Sequence, residues 1–364
     1  MTQAVQTPGA AASTRQDDDA ALVRADGLAK TFDVSPPLLN RLLERRPRVW
    51  LRAVDGASFS IRKGETLALV GESGCGKSTV ARLLVGLHQP TRGRFLFKGQ
   101  DAHAAYAGRE AHALRRSIQM IFQDPYASLN PRWKVADIVA EPLREHGMAA
   151  SRAEAEERVA ALLQSVGLAA VDMGKFPHQF SGGQRQRINI ARALATNPEL
   201  VVCDEPVSAL DIAIRAQILN LLSRLQRELG LTYLFISHDM AVVEHICDDI
   251  AVMYLGQIVE RAPRRSFFAR PLHPYSVALM SAVPTVSGGR RRAAHRIKLS
   301  GDPPSPIDPP AGCRFAGRCP VAEPACAAEL PPLREVAPDH WVRCRRVDVV
   351  DGLPHPPLSI PELP

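Results

Sequence analysis

The nine residues Gly71-Glu72-Ser73-Gly74-Cys75-Gly76-Lys77-Ser78-Thr79 constrain the fold of this chain more than any other stretch. They fit the spacing G-x-x-x-x-G-K-[ST], and their flanks give that spacing a structural context. The run Thr66-Leu-Ala-Leu-Val70 is apolar and ends at a glycine, so it reads as a short buried strand. Val80 to Leu87 reads as a helix. Strand, glycine loop and helix in that order bring backbone N–H groups and a helix N-terminus to one point, which suits a phosphate. Gly71, Gly74 and Gly76 permit the tight turn. Lys77 is placed to reach β- and γ-phosphates, and the Ser78 hydroxyl to bind Mg²⁺. The competing reading, a glycine-rich turn with an exposed lysine, leaves both flanks unexplained.

At 364 residues and 46% hydrophobic content, the chain can build one large domain with an appendage, or two domains. No apolar run reaches the roughly 18 residues of a membrane span. Residues 1–20 lack a basic start followed by an apolar core, so no secretory signal is expected and a disordered tail is. A net charge of +7 allows contact with nucleic acid or an anionic membrane surface. However, the clusters Arg45-Arg46-Pro47-Arg48 and Arg290-Arg291-Arg292 carry no interleaved aromatics. They read as solvated loops, and no nucleic-acid partner is expected. Seven cysteines without a secretory signal point to thiols or metal ligands before disulfides.

Residues 22–34 look like an edge strand, and the proline- and arginine-rich Ser35 to Arg48 like an inserted loop. Ala57 to Ile61 alternates apolar and polar, and Gly93 to Phe97 is a further strand. Ser117 to Gln123 reads as a strand broken by Asp124-Pro125, so Gln123 sits at its end, where an amide can meet Mg²⁺ and a water. A helical region follows from about Val135 to Leu168. Within it Ser151 and Glu154 form a capping box, and Val159, Leu162, Leu163 and Val166 a core stripe. Phe180-Ser181-Gly182-Gly183-Gln184 then opens a helix over Ile188 to Ala195 with a hydroxyl and two glycines, again ingredients for binding phosphate. The apolar strand Leu200 to Cys203 ends in Asp204-Glu205, which suits one carboxylate on Mg²⁺ and one polarising a water. Ser208 to Asp211 precedes a helix to Leu229. Thr232 to Ile236 is one more buried strand, and it delivers Ser237-His238-Asp239 to its end.

Taken in this order, the motifs from about residue 22 to 262 resemble the nucleotide-binding subunit of ABC transporters. That resemblance implies a P-loop NTPase of α/β class: a RecA-like core, an antiparallel β-subdomain and an inserted helical subdomain at about 130–190. It implies an ATPase that binds ATP and Mg²⁺ through the whole loop Gly71, Glu72, Ser73, Gly74, Cys75, Gly76, Lys77, Ser78 and Thr79. Phe32 would stack on adenine, where many members have Tyr. Ser78, Gln123 and Asp204 would hold Mg²⁺, with Asp204 acting through water. Glu205 would be the general base, and His238 would contact the γ-phosphate. Ser181, Gly182, Gly183, Gln184 and Asp211 would contact ATP held by the opposite subunit, so an isolated monomer should bind ATP and hydrolyse it poorly.

A narrower resemblance rests on Phe122-Gln-Asp-Pro-Tyr-Ala-Ser-Leu-Asn-Pro131, His273-Pro-Tyr275 and Leu279-Met-Ser-Ala-Val-Pro284. These are similar to the ATPase subunits of dipeptide/oligopeptide and nickel importers, and the version with Tyr126-Ala127 resembles the second of two such subunits. The implied partners are a second ABC ATPase subunit (a heterodimer, with a homodimer open), two membrane permeases and, indirectly, an extracytoplasmic solute-binding protein. The implied location is peripheral, on the cytoplasmic face of the inner membrane. The alternative is a soluble ABC ATPase with a non-transport or redox-regulated role.

The expected division is a tail at 1–20, an ATPase domain at 21–263, an importer-type extension at 264–347 and a tail at 348–364. Gly301 to Pro310, with five prolines, reads as an extended linker. Beyond it, Cys313, Cys319, Cys326 and Cys344 are spaced more widely than the pairs of structural zinc sites. Such a set is compatible with an iron–sulfur cluster, and in the importers this tail resembles segments that bind [4Fe–4S]. Zinc, free thiols and disulfides stay open. Cys75, at a helix N-terminus beside Lys77, is expected to favour the thiolate. Cys203 and Cys247 read as core residues.

Overall fold

A computed structural model describes residues 21–37, 41, 43, 47–283 and 297–358. The tail at 1–20, Arg45 and Arg46, Pro284, Arg290–Arg292 and residues 359–364 of the tail expected at 348–364 lie outside the described residues.

Strand β3 (Thr66–Val70) is buried at all five positions, as an apolar run in a mostly parallel sheet must be. It lies between β8 (Thr232–Ser237) and β9 (Asp249–Tyr254) and is parallel to both. Beyond β8 come β7 (Leu200–Asp204) and β6 (Ile118–Ile121), also parallel. A second, four-stranded antiparallel sheet has the order β2-β1-β4-β5, with β1 Ala21–Asp33, β2 Trp50–Arg62, β4 Arg92–Phe97 and β5 Gln100–Asp101. Here one expectation is corrected. β1 is not an edge strand, because it pairs with β2 on one side (Phe32 opposite Leu51) and with β4 on the other (Val23 opposite Phe97).

Among the described residues the α-helices in chain order are α1 (Lys77–Leu84), α2 (Ala102–Ala107), α3 (Ala111–Ser117), α4 (Val135–Glu145), α5 (Arg152–Ser165), α6 (Gly182–Leu194), α7 (Ile212–Leu229), α8 (Met240–Ile246), α9 (Arg264–Ala269), α10 (Pro274–Ser281) and α11 (Pro324–Ala328). Period-two alternation in the parallel strands divides the core. Leu67 and Leu69 face a cluster with α1 (Val80, Leu83, Leu84) and the antiparallel sheet (Phe59, Phe95). Ala68 and Val70 face another, which contains Val243, Phe267, Tyr275 and Phe315. Val201, Cys203, Tyr233 and Phe235 join the helical region, where Val159, Leu163 and Val166 are buried as their spacing predicts.

Helix ends follow the side-chain chemistry. Ser151 Oγ accepts the Glu154 N–H at 3.2 Å, while the Glu154 carboxylate reaches one residue further back, to the Ala150 N–H at 2.8 Å. Gly230, at φ 65°, ends α7 in the left-handed conformation a glycine takes freely.

The C-terminal residues extend the core sheet. β10 (Gln257–Pro263) runs antiparallel to β9, and β12 (His340–Val342) pairs with β10, Glu260 opposite Val342. β11 (Arg334–Ala337) completes the eight-stranded order β11-β12-β10-β9-β3-β8-β7-β6. The fully buried Glu260 anchors this edge. Its carboxylate accepts from the backbone N–H of Leu272 (2.8 Å) and of His273 (2.7 Å), and meets His340 Nε2 at 2.8 Å. Burial pushes the His273 imidazole down to about 4, so it is neutral, and its Nδ1 accepts the Tyr275 N–H at the start of α10.

Candidate nucleotide site

The glycine loop leaves β3 and enters α1, as its flanks predict. A side chain at Gly71 would put Cβ 2.1 Å from the Met253 carbonyl oxygen, and one at Gly76 2.2 Å from that of Ala53. Both glycines also sit at positive φ, so no other residue fits without moving backbone. Lys77 is buried, and its Nζ donates to the carbonyls of Gly71 (2.8 Å) and Glu72 (2.9 Å), drawing the loop around the ammonium.

Beside the loop lies a cavity of about 290 Å³ lined by Ser73, Gly74, Gly76, Lys77, Ser78 and Thr79 together with Phe32, Gln123 and Glu205. Phe32 stands edge-on to His88 at 5.3 Å, with Lys30 Nζ 5.1 Å from its ring. Acidic groups arrive from the ends of the parallel strands. Ser78 Oγ donates to Asp204 Oδ1 at 3.0 Å. Burial, and then the neighbouring Glu205, push the Asp204 carboxyl upward against the pull of the Ser78 hydrogen bond, Arg82 and Lys77. A divalent cation between Ser78 and Asp204 would reverse that balance. Glu205 Oε2 accepts from Gln123 Nε2 at 3.1 Å and lies 3.2 Å from His238 Nδ1. Gln123 sits in the loop after β6, which ends at Ile121. Glu205 is held at φ 46°, a left-handed conformation rare for a residue with a Cβ, with its N–H donating to the Ile236 carbonyl. Such strain at the end of a strand is common where a side chain must be aimed.

Ser181, Gly182, Gly183 and Gln184 do not line this cavity, nor does Asp211. Ser181 and Gln184 instead cap α6 reciprocally: Ser181 Oγ accepts the Gln184 N–H at 3.3 Å, and Gln184 Oε1 accepts the Ser181 N–H at 3.0 Å. The helix therefore begins at Gly182, six residues before the expected Ile188. Asp211 precedes α7.

The expectation for Cys75 is corrected. Its thiol is only 6% exposed, and burial pushes it up by more than Lys77 pulls it down, so the neutral thiol is favoured. Cys203 and Cys247 are core residues as expected, and burial raises the Cys247 thiol to about 12.

Cys313, Cys319, Cys326 and Cys344 line one narrow, apolar pocket with His273, Phe315 and Arg346. Burial raises the thiols of Cys313, Cys319 and Cys344, and mutual repulsion among the four sulfurs adds to it. Among the described residues, no group of three His, Cys, Asp or Glu is placed to hold a metal ion.

Sequence reasoning missed the second wall of the nucleotide cavity. Leu51, Arg52, Ala53, Leu255, Gly256 and Pro306 line it, and the Pro306 carbonyl accepts the Arg52 N–H at 2.9 Å. The proline-rich segment thus runs along the cavity. Its composition signalled an extended backbone but nothing about its destination.

Family models match at two places: residues 54–208 fit the ABC transporter model, and residues 259–326 the C-terminal region of oligopeptide/dipeptide transporters. The chain is 52% identical to the oligopeptide transport ATP-binding protein AppF of Bacillus subtilis over 294 residues, which is 81% of this chain and 89% of that one. The chain belongs to the ABC transporter ATP-binding proteins. Within that family it is 50% identical to OppF of Escherichia coli over 311 residues (83% of this chain, 90% of that one). It is 47% identical to the dipeptide transport ATP-binding protein DppF of Haemophilus influenzae over 328 residues (90% and 97%). Among solved structures, the ABC cassette MJ0796, a dimer bound to ADP and Pi, matches with TM-score 0.58 at 28% identity, covering 67% of this chain and 99% of that one. CbiO1 of Clostridium perfringens matches with the same TM-score and identity, over 69% and 92%. The chain is an ABC-type ATPase with the P-loop NTPase fold. No helix among the described residues is long and apolar enough to cross a membrane.

Proposed function

We propose that this ABC ATPase powers the import of dipeptides or oligopeptides through two partner permeases. It would lie on the cytoplasmic face of the inner membrane, with a solute-binding protein delivering peptide from outside. The observation that carries the reading is the pairing of the ABC transporter match at 54–208 with the oligopeptide/dipeptide transporter region at 259–326. In this reading ATP phosphates lie in the loop Gly71–Thr79, with adenine against Phe32. Ser78, Gln123 and Asp204 hold Mg²⁺, Glu205 takes a proton from the attacking water, and His238 contacts the γ-phosphate. Ser181–Gln184 and Asp211 close over ATP on a second ATPase subunit in a heterodimer. This accounts for their position off the cavity of their own chain.

The four-cysteine pocket is assigned to a [4Fe–4S] cluster acting as a structural staple. The support for it is that all four cysteines line one narrow apolar pocket. Cys313, Cys319, Cys326 and Cys344 would be the ligands. Iron and acid-labile sulfide in protein purified without oxygen would support this, and four free thiols with no iron would refute it. The function itself is tested by co-purifying the chain with its permeases in lipid vesicles. ATP-dependent dipeptide or oligopeptide uptake that stops with Lys77→Ala is expected. A complex that hydrolyses ATP and moves no peptide would overturn the substrate class.

A further inference from the structure

The C-terminal segment holds Glu72 of the phosphate loop by both backbone and side chain. Tyr275 Oη, on α10, accepts the Glu72 N–H at 2.8 Å. Arg318 donates from Nη1 to Glu72 Oε2 at 2.8 Å and from Nη2 to Glu72 Oε1 at 3.2 Å, a two-pronged guanidinium–carboxylate pair. The Arg318 side chain is 9% exposed and the Glu72 side chain 30%. Arg318 also meets Tyr254 Oη at 3.4 Å. Behind it Tyr254, Tyr275 and Phe315 pack as a buried cluster, with ring centres 4.8, 5.2 and 5.4 Å apart. The arginine therefore has little freedom to swing away.

Glu72 is an electrostatic oddity. It adds a carboxylate to the loop proposed to hold a polyphosphate, and although that carboxylate turns to Arg318 rather than into the cavity, an uncompensated negative charge so near would oppose binding. Resting on the reading of this loop as the ATP site, we propose that Arg318 is a positioning residue for nucleotide binding. It neutralises Glu72 and fixes Gly71–Glu72, so the C-terminal segment sets the affinity of the phosphate loop for ATP.

The test is equilibrium binding of MgATP to the full-length protein, with thermal unfolding measured alongside. R318M leaves Glu72 uncompensated and is expected to raise the dissociation constant roughly tenfold, within the usual range of coupling between sites. R318K keeps the charge without the two-pronged geometry and should fall between R318M and wild type. E72Q should shift the constant the opposite way, because it leaves the Arg318 guanidinium as an uncompensated positive charge at the loop. E72Q/R318M should recover most of the loss. In turnover measurements R318M should raise KM far more than it lowers kcat. A brace with no electrostatic role would weaken binding in both single variants and would not be rescued by the double. That result, or wild-type affinity in R318M, overturns the inference. Should R318M fail to fold, the sign of the E72Q shift and the comparison of R318K with E72Q/R318K decide it. Absence of ATP binding by wild type would instead refute the ATP-site reading.

Discussion

Replacing Glu205 by Gln isolates its proposed role as base, because the geometry around it should survive. Gln123 Nε2 and His238 Nδ1 both lie within 3.2 Å of the same oxygen, Oε2. A glutamine carbonyl oxygen placed there still accepts from both. The left-handed backbone at φ 46° costs a non-glycine residue roughly 1–2 kcal/mol, and that cost is the same for Gln as for Glu. What disappears is the capacity to take a proton, which is worth about 10²–10⁴ in rate, or about 2.7–5.4 kcal/mol of barrier. Single-turnover hydrolysis at saturating MgATP should fall by that factor, while the ATP dissociation constant stays within about threefold of wild type. The ATP-loaded variant should accumulate as a closed dimer by light scattering. Glu205→Gly provides a control, since it relieves the φ strain and also loses hydrolysis. A Glu205→Gln protein turning over at the wild-type rate would refute the assignment.

Asp204→Asn should stabilise the nucleotide- and metal-free protein while abolishing Mg²⁺-dependent turnover. The Asp204 carboxyl is pushed above its ordinary value of 3.8, mainly by burial. The folded state therefore holds that proton more tightly than the unfolded chain, and stability falls as pH rises from 3.8 through the raised value, then levels off. The melting-temperature gap between Asp204→Asn and wild type should widen across that window and stay constant above it. Parallel curves would refute the burial argument. Glu260→Ala should orphan two buried amides, at about 1–3 kcal/mol each. Faster hydrogen exchange at Leu272 and His273 would show this, and unchanged protection there would contradict it. Cys75 should react slowly with a maleimide in the native protein at neutral pH and quickly after unfolding. Rapid native labelling blocked by ATP would restore the thiolate reading.

The parts legible in the sequence were those written locally. Thr66–Val70, Leu200–Asp204 and Thr232–Ser237 announce themselves as buried strands because each is an apolar run ending at a polar residue or glycine. The residues proposed to do the chemistry sit at those ends. Contacts between distant segments carry no such mark. Arg318 and Glu72 are 246 residues apart, and nothing local to Cys313-Arg-Phe-Ala-Gly-Arg-Cys319 names the partner of its second arginine. Cys75 failed for a related reason. Its neighbours in sequence favour the thiolate, but its burial in a cluster with Met253 and Ile258 follows from the tertiary fold. For β1, strand propensity was readable, but its place between β2 and β4 depends on partners up to residue 97.

The pairing of β12 with β10 also bears on how the chain can be made. A ribosome releases β10, at residues 257–263, well before residues 340–342, so the sheet emerges with its β10 edge uncovered. An open edge strand is a template for pairing with other chains. A protein shortened before residue 340 would keep that edge permanently. Such a fragment should associate with its own copies rather than behave as a clean nucleotide-binding domain. β12 and β11 therefore act as a built-in cover for the β10 edge of the nascent sheet, with Cys344 two residues beyond β12.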